Sequence, residues 1–143
     1  MREINLKKLM QNLYENLDYF ASIEPENLNY EEEYHEVTID PDGKKRYLLD
    51  EREKWLKSIN EITSYLDLCN PCKILDIGCG PGWLLSYLDN NWQKHGVEIS
   101  KFASNHARKY GQIFNGQFEN YEEKNLDFIV MNHVIEHIKD PIS

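Results

Sequence analysis

Gly78, Gly80 and Gly82 stand at alternate positions directly after the apolar run Ile74-Leu75-Asp76-Ile77. Where a strand of a parallel sheet opens into a loop of this kind, ligands bind beyond the strand's carboxyl end. Glycine lets such a loop turn tightly and approach a ligand with no Cβ in the way. Asp76, two residues before the first glycine, puts a carboxylate at the strand end. A carboxylate there suits an ammonium group or hydroxyls and repels phosphate. The sixth position of a dinucleotide fingerprint is Trp83 here, not Gly or Ala, and no Lys-Ser or Lys-Thr follows as in a phosphate-binding loop. Glu98 closes the next apolar run, Gly96-Val97-Glu98-Ile99, near the spacing at which nucleoside-binding folds set an acid on a ribose. Its two acceptor oxygens match two sugar hydroxyls.

These groups need strands and helices to hold them. Residues 73–78 read as a buried strand, 82–88 as a helix and 94–99 as a second strand. Ser100 is placed to cap a helix that reaches about Tyr110. Residues 112–115 form a brief strand, 126–131 another, and a helix starts near Val134. Strands separated by helices of this length predict βαβ crossovers and a parallel sheet. Upstream, Leu6, Leu9, Met10, Leu13, Leu17 and Phe20 mark one amphipathic helix over residues 3–20. Runs 34–39 and 46–49 flank Asp40-Pro41-Asp42-Gly43 as a short hairpin. Residues 50–68 predict one helix, with Asp50 as its cap, Glu53 completing a capping box, and Trp55, Ile59, Ile62 and Leu66 as its buried stripe. The domain expectation is an N-terminal helical and hairpin extension over 1–70 and a ligand-binding α/β part over 71–143.

Composition narrows the partners. A net charge of −9 over 143 residues opposes unassisted binding to nucleic acid. Lys44-Lys45-Arg46, the longest basic run, follows a turn and reads as solvated. No apolar stretch reaches the ~20 residues of a membrane span, and the start of the chain is unlike a signal peptide, so no membrane role and a cytoplasmic location are expected. Cys69 and Cys72 form a C-x-x-C, but no second pair completes a zinc site. With Cys79 they read as buried or half-buried thiols in a reducing compartment.

Asp76-x-Gly78-x-Gly80-x-Gly82 followed by Glu98 resembles the first motif and the following acidic motif of the class I S-adenosylmethionine (SAM)-dependent methyltransferases. Residues 126–141, which contain Asn132-His133-Val134-Ile135-Glu136-His137, resemble the fourth strand and following helix in the branch of ubiquinone-type and sugar-cluster O-methyltransferases. The resemblance implies a Rossmann-like parallel sheet with flanking helices, SAM as cofactor and a small-molecule hydroxyl as methyl acceptor. It implies that Asp76 and the loop Gly78, Cys79, Gly80 and Gly82 hold the methionine moiety. Glu98 takes the ribose hydroxyls and Ile99 lies against the adenine. Gln117 and Phe118 meet the adenine edge, where many relatives have Asp in place of Gln117. Asn132 and His133 flank the methionine part and the methyl group.

A hydroxyl acceptor must lose a proton, and imidazole is suited to take it. His133 and His137 are the candidate bases; their plainer role is to fix the loop and the helix start by hydrogen bonds. The stretch also fits H-x-x-E-H, an inverted zinc-protease pattern. It follows a strand directly rather than lying within a long helix, which argues against a zinc-protease site. Some relatives hold a divalent metal with a Glu-x-x-Glu-His pattern, which would use Glu136 and His137 here, but His133 replaces the first Glu and no metal is expected. His35, His95 and His106 have no partner pattern and read as surface or filler. Trp55 and Trp92 read as core, and Trp83 as packed beside the cofactor.

Such domains usually continue for three further strands, so the chain carries an incomplete class I fold. An apolar strand at 126–131 then leaves a sheet edge exposed. A truncated product, or a second copy covering that edge as a homodimer, is the expectation. Two rival readings remain in view: a SAM-binding or interaction module without turnover, and a nicotinamide-dependent oxidoreductase, which Trp83 and the G-x-G-x-G spacing disfavour.

Overall fold

The computed structural model describes residues 37–134. Of these, residues 37–130 fall in one compact unit and residues 131–134 in another. The helix expected over residues 3–20, and the helix expected to start near Val134, lie outside the described residues apart from Val134 itself.

The centre is a four-stranded sheet in the order β5-β4-β3-β6. Its strands are β3 (Lys73–Ile77), β4 (Gln93–Glu98), β5 (Gln112–Asn115) and β6 (Phe128–Met131), with β1 and β2 defined below. β3 pairs parallel with β4 from Lys73↔Gln93 to Ile77↔Val97, and β4 pairs parallel with β5 from His95↔Gln112 to Glu98↔Asn115. Alternation along the strands divides the core. Ile74 joins Ile59, Leu66, Leu84, Leu88 and Trp92 in one cluster, with Phe128 and Val130 of β6 packed against it. Cys79, Leu85 and Ala107 form a second cluster, with Tyr110 and Ile113 beside them. The parallel, Rossmann-like α/β architecture is as the sequence predicts.

β1 (Val37–Ile39) and β2 (Lys45–Tyr47) make the hairpin, paired antiparallel from Val37↔Tyr47 to Ile39↔Lys45. Its turn closes through Asp40 N–H to Lys44 O at 2.8 Å and Gly43 N–H to Asp40 O at 2.8 Å, with Gly43 at φ 82°. Lys44 and Lys45 are exposed as expected, but Arg46 is half-buried. Its guanidinium bonds the Asp40 carboxylate at 2.8 Å and Glu51 Oε1 at 2.6 Å, which ties the hairpin to the chain that follows.

The single helix expected over 50–68 is two short ones, α1 (Arg52–Ser58) and α2 (Asn60–Leu66), separated at Ile59. Asp50 does not cap α1, because it belongs to a 3-10 turn over Leu48–Asp50. The N-cap position falls to Glu51, whose side chain makes no cap bond and is held by Arg46 instead. At the break, Ser58 Oγ donates back to Trp55 O at 2.7 Å, a local bond that competes with helix continuation. The buried stripe nevertheless holds: Ile59 and Leu66 are 4% and 3% exposed, with Trp55 and Ile62 packed against them.

α3 (Trp83–Tyr87) and α4 (Lys101–Ala107) follow β3 and β4. Five residues are too few for a helix to stand alone in water, so α3 depends on packing, and Leu84 and Leu85 are fully buried. Arg52 Nε reaches across from α1 to Ser86 Oγ at 2.8 Å. No helix among the described residues is long and apolar enough to cross a membrane.

Gly82 is the tightest joint between loop and helices. It has φ 82°, and a Cβ there would lie 2.9 Å from both Cα and Cβ of Ala107. Gly80 has φ 52°, but a Cβ would meet nothing within 4 Å. Gly80→Ala should therefore cost only left-handed strain, about 1 kcal/mol. Gly82→Ala adds a backbone clash and should cost about 3 kcal/mol. Urea unfolding of the two variants reads the difference, and equal losses would contradict the packing described.

Candidate functional site

β3 and β4 end side by side, with Asp76 opposite Gly96 and Ile77 opposite Val97. Both following loops therefore leave from one end of the sheet. The Gly78 and Cys79 amides both donate to Val97 O, at 2.8 and 3.0 Å, and the Gly82 amide donates to Cys79 O at 2.9 Å. This winding puts Gly78, Gly80 and Gly82 at φ 69°, 52° and 82°, values that glycine adopts without the Cβ penalty of other residues.

Glu98 braces the two loops together. Its Oε2 accepts from the Gly80 amide and its Oε1 from the Ser100 amide, both at 2.8 Å. Ser100 in turn caps α4 as predicted, its Oγ accepting from the Ala103 amide at 3.2 Å. The third loop joins through the Gly116 amide, which donates to Glu98 O at 3.1 Å, and Asn115 Nδ2, which donates to Glu98 O and Ile99 O at 2.9 Å. Burial raises the Glu98 carboxyl above its usual range, and the Ser100, Gly80 and Ile99 amides pull the other way.

Asp76 has the opposite circumstances. It is 3% exposed, and its Oδ2 is a buried oxygen with no hydrogen-bond partner among the described residues. Burial first, and the Glu98 charge second, push its carboxyl up to about 8. A buried carboxylate without a donor is costly, and an ammonium group or another donor supplied by a ligand would relieve it.

The sheet end thus gathers Asp76, the loop 78–82, Glu98, Ile99 and the segment 116–118. Ile99 is 44% exposed, Gln117 is exposed and Phe118 is half-buried. Cys79 offers the site only its backbone. Its thiol is buried among Leu85 and Ala107, lies where a Cβ on Gly96 would come within 2.7 Å, and is pushed up by burial and by Asp76 and Glu98. Trp83 is 4% exposed and packs on Trp55 with ring centroids 5.6 Å apart, which places it in the core. Asn132 and His133 directly follow β6, and His133 has φ 54°. His137 and Glu136 lie outside the described residues, as does His35.

Two histidines read as filler have specific partners. His95 is 5% exposed, its Nδ1 lies 2.8 Å from the Tyr121 hydroxyl, and burial holds it below the usual imidazole range. His106 Nδ1 lies 2.9 Å from Pro81 O, inside the glycine loop. Neither partner is near in sequence, so no local spacing could reveal them.

A family model described as a methyltransferase domain matches residues 44–143, and the chain belongs to that family. Among solved structures, the plantazolicin methyltransferase BpumL in complex with SAH is 25% identical with a TM-score of 0.53. The same enzyme in complex with a monoazolic desmethylPZN analog and SAH gives the same identity and TM-score. In both, the match covers 64% of this chain and 40% of the other, so the chain spans about two fifths of the length of these structures. No curated protein matches the sequence.

The Asp76 carboxyl makes stability depend on pH. Its folded pKa of about 8 lies above the unfolded 3.8, so the folded state holds more protons between these values. Its contribution is fully present below the unfolded value and is lost as pH rises through the window. Asp76→Asn, which cannot ionise, should gain stability relative to the wild type as pH rises from 4 to 8. Urea unfolding at intervals across this range tests it, and parallel profiles for the two proteins would show that Asp76 is not the group responsible.

Proposed function

We propose that this chain binds S-adenosylmethionine at the end of β3 and β4 and serves methyl transfer to a small-molecule acceptor. The single observation that carries the reading is the orphaned Oδ2 of Asp76, buried at the foot of a glycine loop in a methyltransferase-family domain. Bound SAH in the BpumL structures supports the choice of cofactor.

The residues present fit that group. Asp76 is an acceptor for the methionine ammonium, and the open space over Gly80 leaves room for a ligand against the backbone. Glu98 has two roles. Each carboxylate oxygen already takes one amide, and each keeps a further lone pair for a ribose hydroxyl. Ile99 presents an apolar surface for adenine, with Gln117 and Phe118 at its edge. When bound, SAM supplies an electrophilic methyl group on a sulfonium centre.

For a transfer of this kind, what the residues of the chain would supply is chiefly orientation. The chain's contribution is a rigid, hydrogen-bonded cradle. For an acceptor we assign a hydroxyl oxygen, on a sugar or quinone-like precursor, following the branch that residues 126–141 resemble. His133 then takes the acceptor proton, with Asn132 beside the methionine part, and His137 is the alternate base.

Calorimetric titration with S-adenosylhomocysteine, with 5′-methylthioadenosine as a probe lacking the amino acid, tests the cofactor assignment. The wild type should prefer the homocysteine compound, and Asp76→Asn should lose most of that preference. Glu98→Ala should weaken both ligands at least tenfold, the scale of hydrogen bonds to a charged group. A folded wild type that binds neither, or that is protected in a thermal melt by NAD alone, would end this reading.

A further inference from the structure

The end of α4 and the turn that follows it face the second half of the glycine loop with three residues. Ala107 lies against Gly82 so closely that a Cβ there would be 2.9 Å away, and Tyr110 is 3.2 Å from the same point. His106 completes the contact through its bond to Pro81 O and packs on Tyr110 with ring centroids 5.7 Å apart. Pro81 is buried between two glycines in the left-handed region. A carbonyl enclosed in such a loop needs a donor, and His106 provides one at 2.9 Å.

We infer that His106 is a positioning residue for the cofactor cradle, holding the Gly80-Pro81-Gly82 backbone in place by donating from Nδ1 to the Pro81 carbonyl. The inference rests on the reading of this loop as the cofactor's seat, and goes beyond it by assigning a residue that touches no ligand. A carbonyl oxygen only accepts, so the hydrogen must sit on His106 Nδ1. The neutral ring with its hydrogen on Nε2 cannot make this bond. Glu98 and His106 then hold the loop from two sides: the carboxylate takes the Gly80 amide, and the imidazole gives to the next residue's carbonyl. The Cys79–Gly80 and Pro81–Gly82 peptide planes are thereby held, one at each end of the Gly80-Pro81 pair.

His106→Phe keeps an aromatic ring beside Tyr110 and removes the donor. His106→Asn loses the ring but sets an amide N–H near the place of Nδ1. In the ligand-free chain, amide hydrogen exchange at Gly80 and Gly82 should quicken about tenfold in H106F, the worth of one ordinary hydrogen bond. Exchange at Ile74 and Leu84 in the core should stay unchanged, and H106N should return the loop to within about threefold of the wild type. Affinity for S-adenosylhomocysteine should follow the same order. A nitrogen-15 spectrum of the wild type at pH 9 tests the bond without any variant: the ring should carry its hydrogen on Nδ1. Hydrogen on Nε2, unchanged loop exchange in H106F, or equal effects of H106F and H106N would overturn the proposal. A wild type that fails to bind S-adenosylhomocysteine overturns the cofactor reading instead, and the exchange and nitrogen data still decide the role of His106 in the loop.

Discussion

Two carboxylates, Asp76 and Glu98, are buried at the ends of neighbouring parallel strands, 3% and 7% exposed. Removing a carboxylate from water is unfavourable by several kcal/mol unless donors replace the lost hydration. The fold answers this constraint unequally. Glu98 receives the Gly80 and Ser100 amides, and this makes it a bracket between two loops. Asp76 keeps an oxygen that no donor among the described residues reaches. One acid is thus satisfied by the protein and the other is left to be satisfied by something else. The left-handed glycines, the cap on α4 and the shared acceptor at Val97 O accompany the bonds that bring the Gly80 and Ser100 amides to Glu98.

The scaffold under this arrangement is made of short pieces. α3 has five residues, and α1, α2 and α4 have seven each. None is long enough to persist alone. They are held by wedges such as Ile74, Leu84 and Leu85, all fully buried, and by cross-ties such as Arg52 to Ser86 and Arg46 to Asp40 and Glu51. Close packing of this kind transmits small displacements, so a change at Gly82 or Ala107 is felt in the loop that ends at the site.

Sequence periodicity carried the central elements well. β3, β4 and β5 begin and end within about one residue of the expected positions, because short apolar stretches such as Ile74-Leu75 and Ile113-Phe114 are closed off by glycine, asparagine and the Ser100 cap. The hairpin and the Ser100 cap were legible for similarly local reasons. The break at Ile59 was not. Asp50 and Glu53 have capping residue types, but the 3-10 turn claims Asp50 and Arg46 claims Glu51, and both outcomes depend on the folded hairpin. Within the site, the glycines and acids announced themselves by type and spacing. The brace function of Glu98 and the partners of His106 and His95 did not, since each involves a group 18 to 26 positions away. Tertiary bonds between groups so far apart in sequence leave no local pattern to read. The Trp55–Trp83 contact was hidden for a related reason: the two rings come from different helices.

The three thiols sit at graded depth, with Cys79 sealed beneath the loop and Cys69 and Cys72 half-buried at the far end of β3. Thiolate character governs reaction with alkylating reagents, and burial suppresses it at Cys79. The chain therefore contains its own chemical clock for the loop. Reagent consumed by the outer pair reports surface access, while the slow third equivalent counts the moments at which the loop lifts away from Gly96. A ligand seated over that loop would lengthen the interval between them.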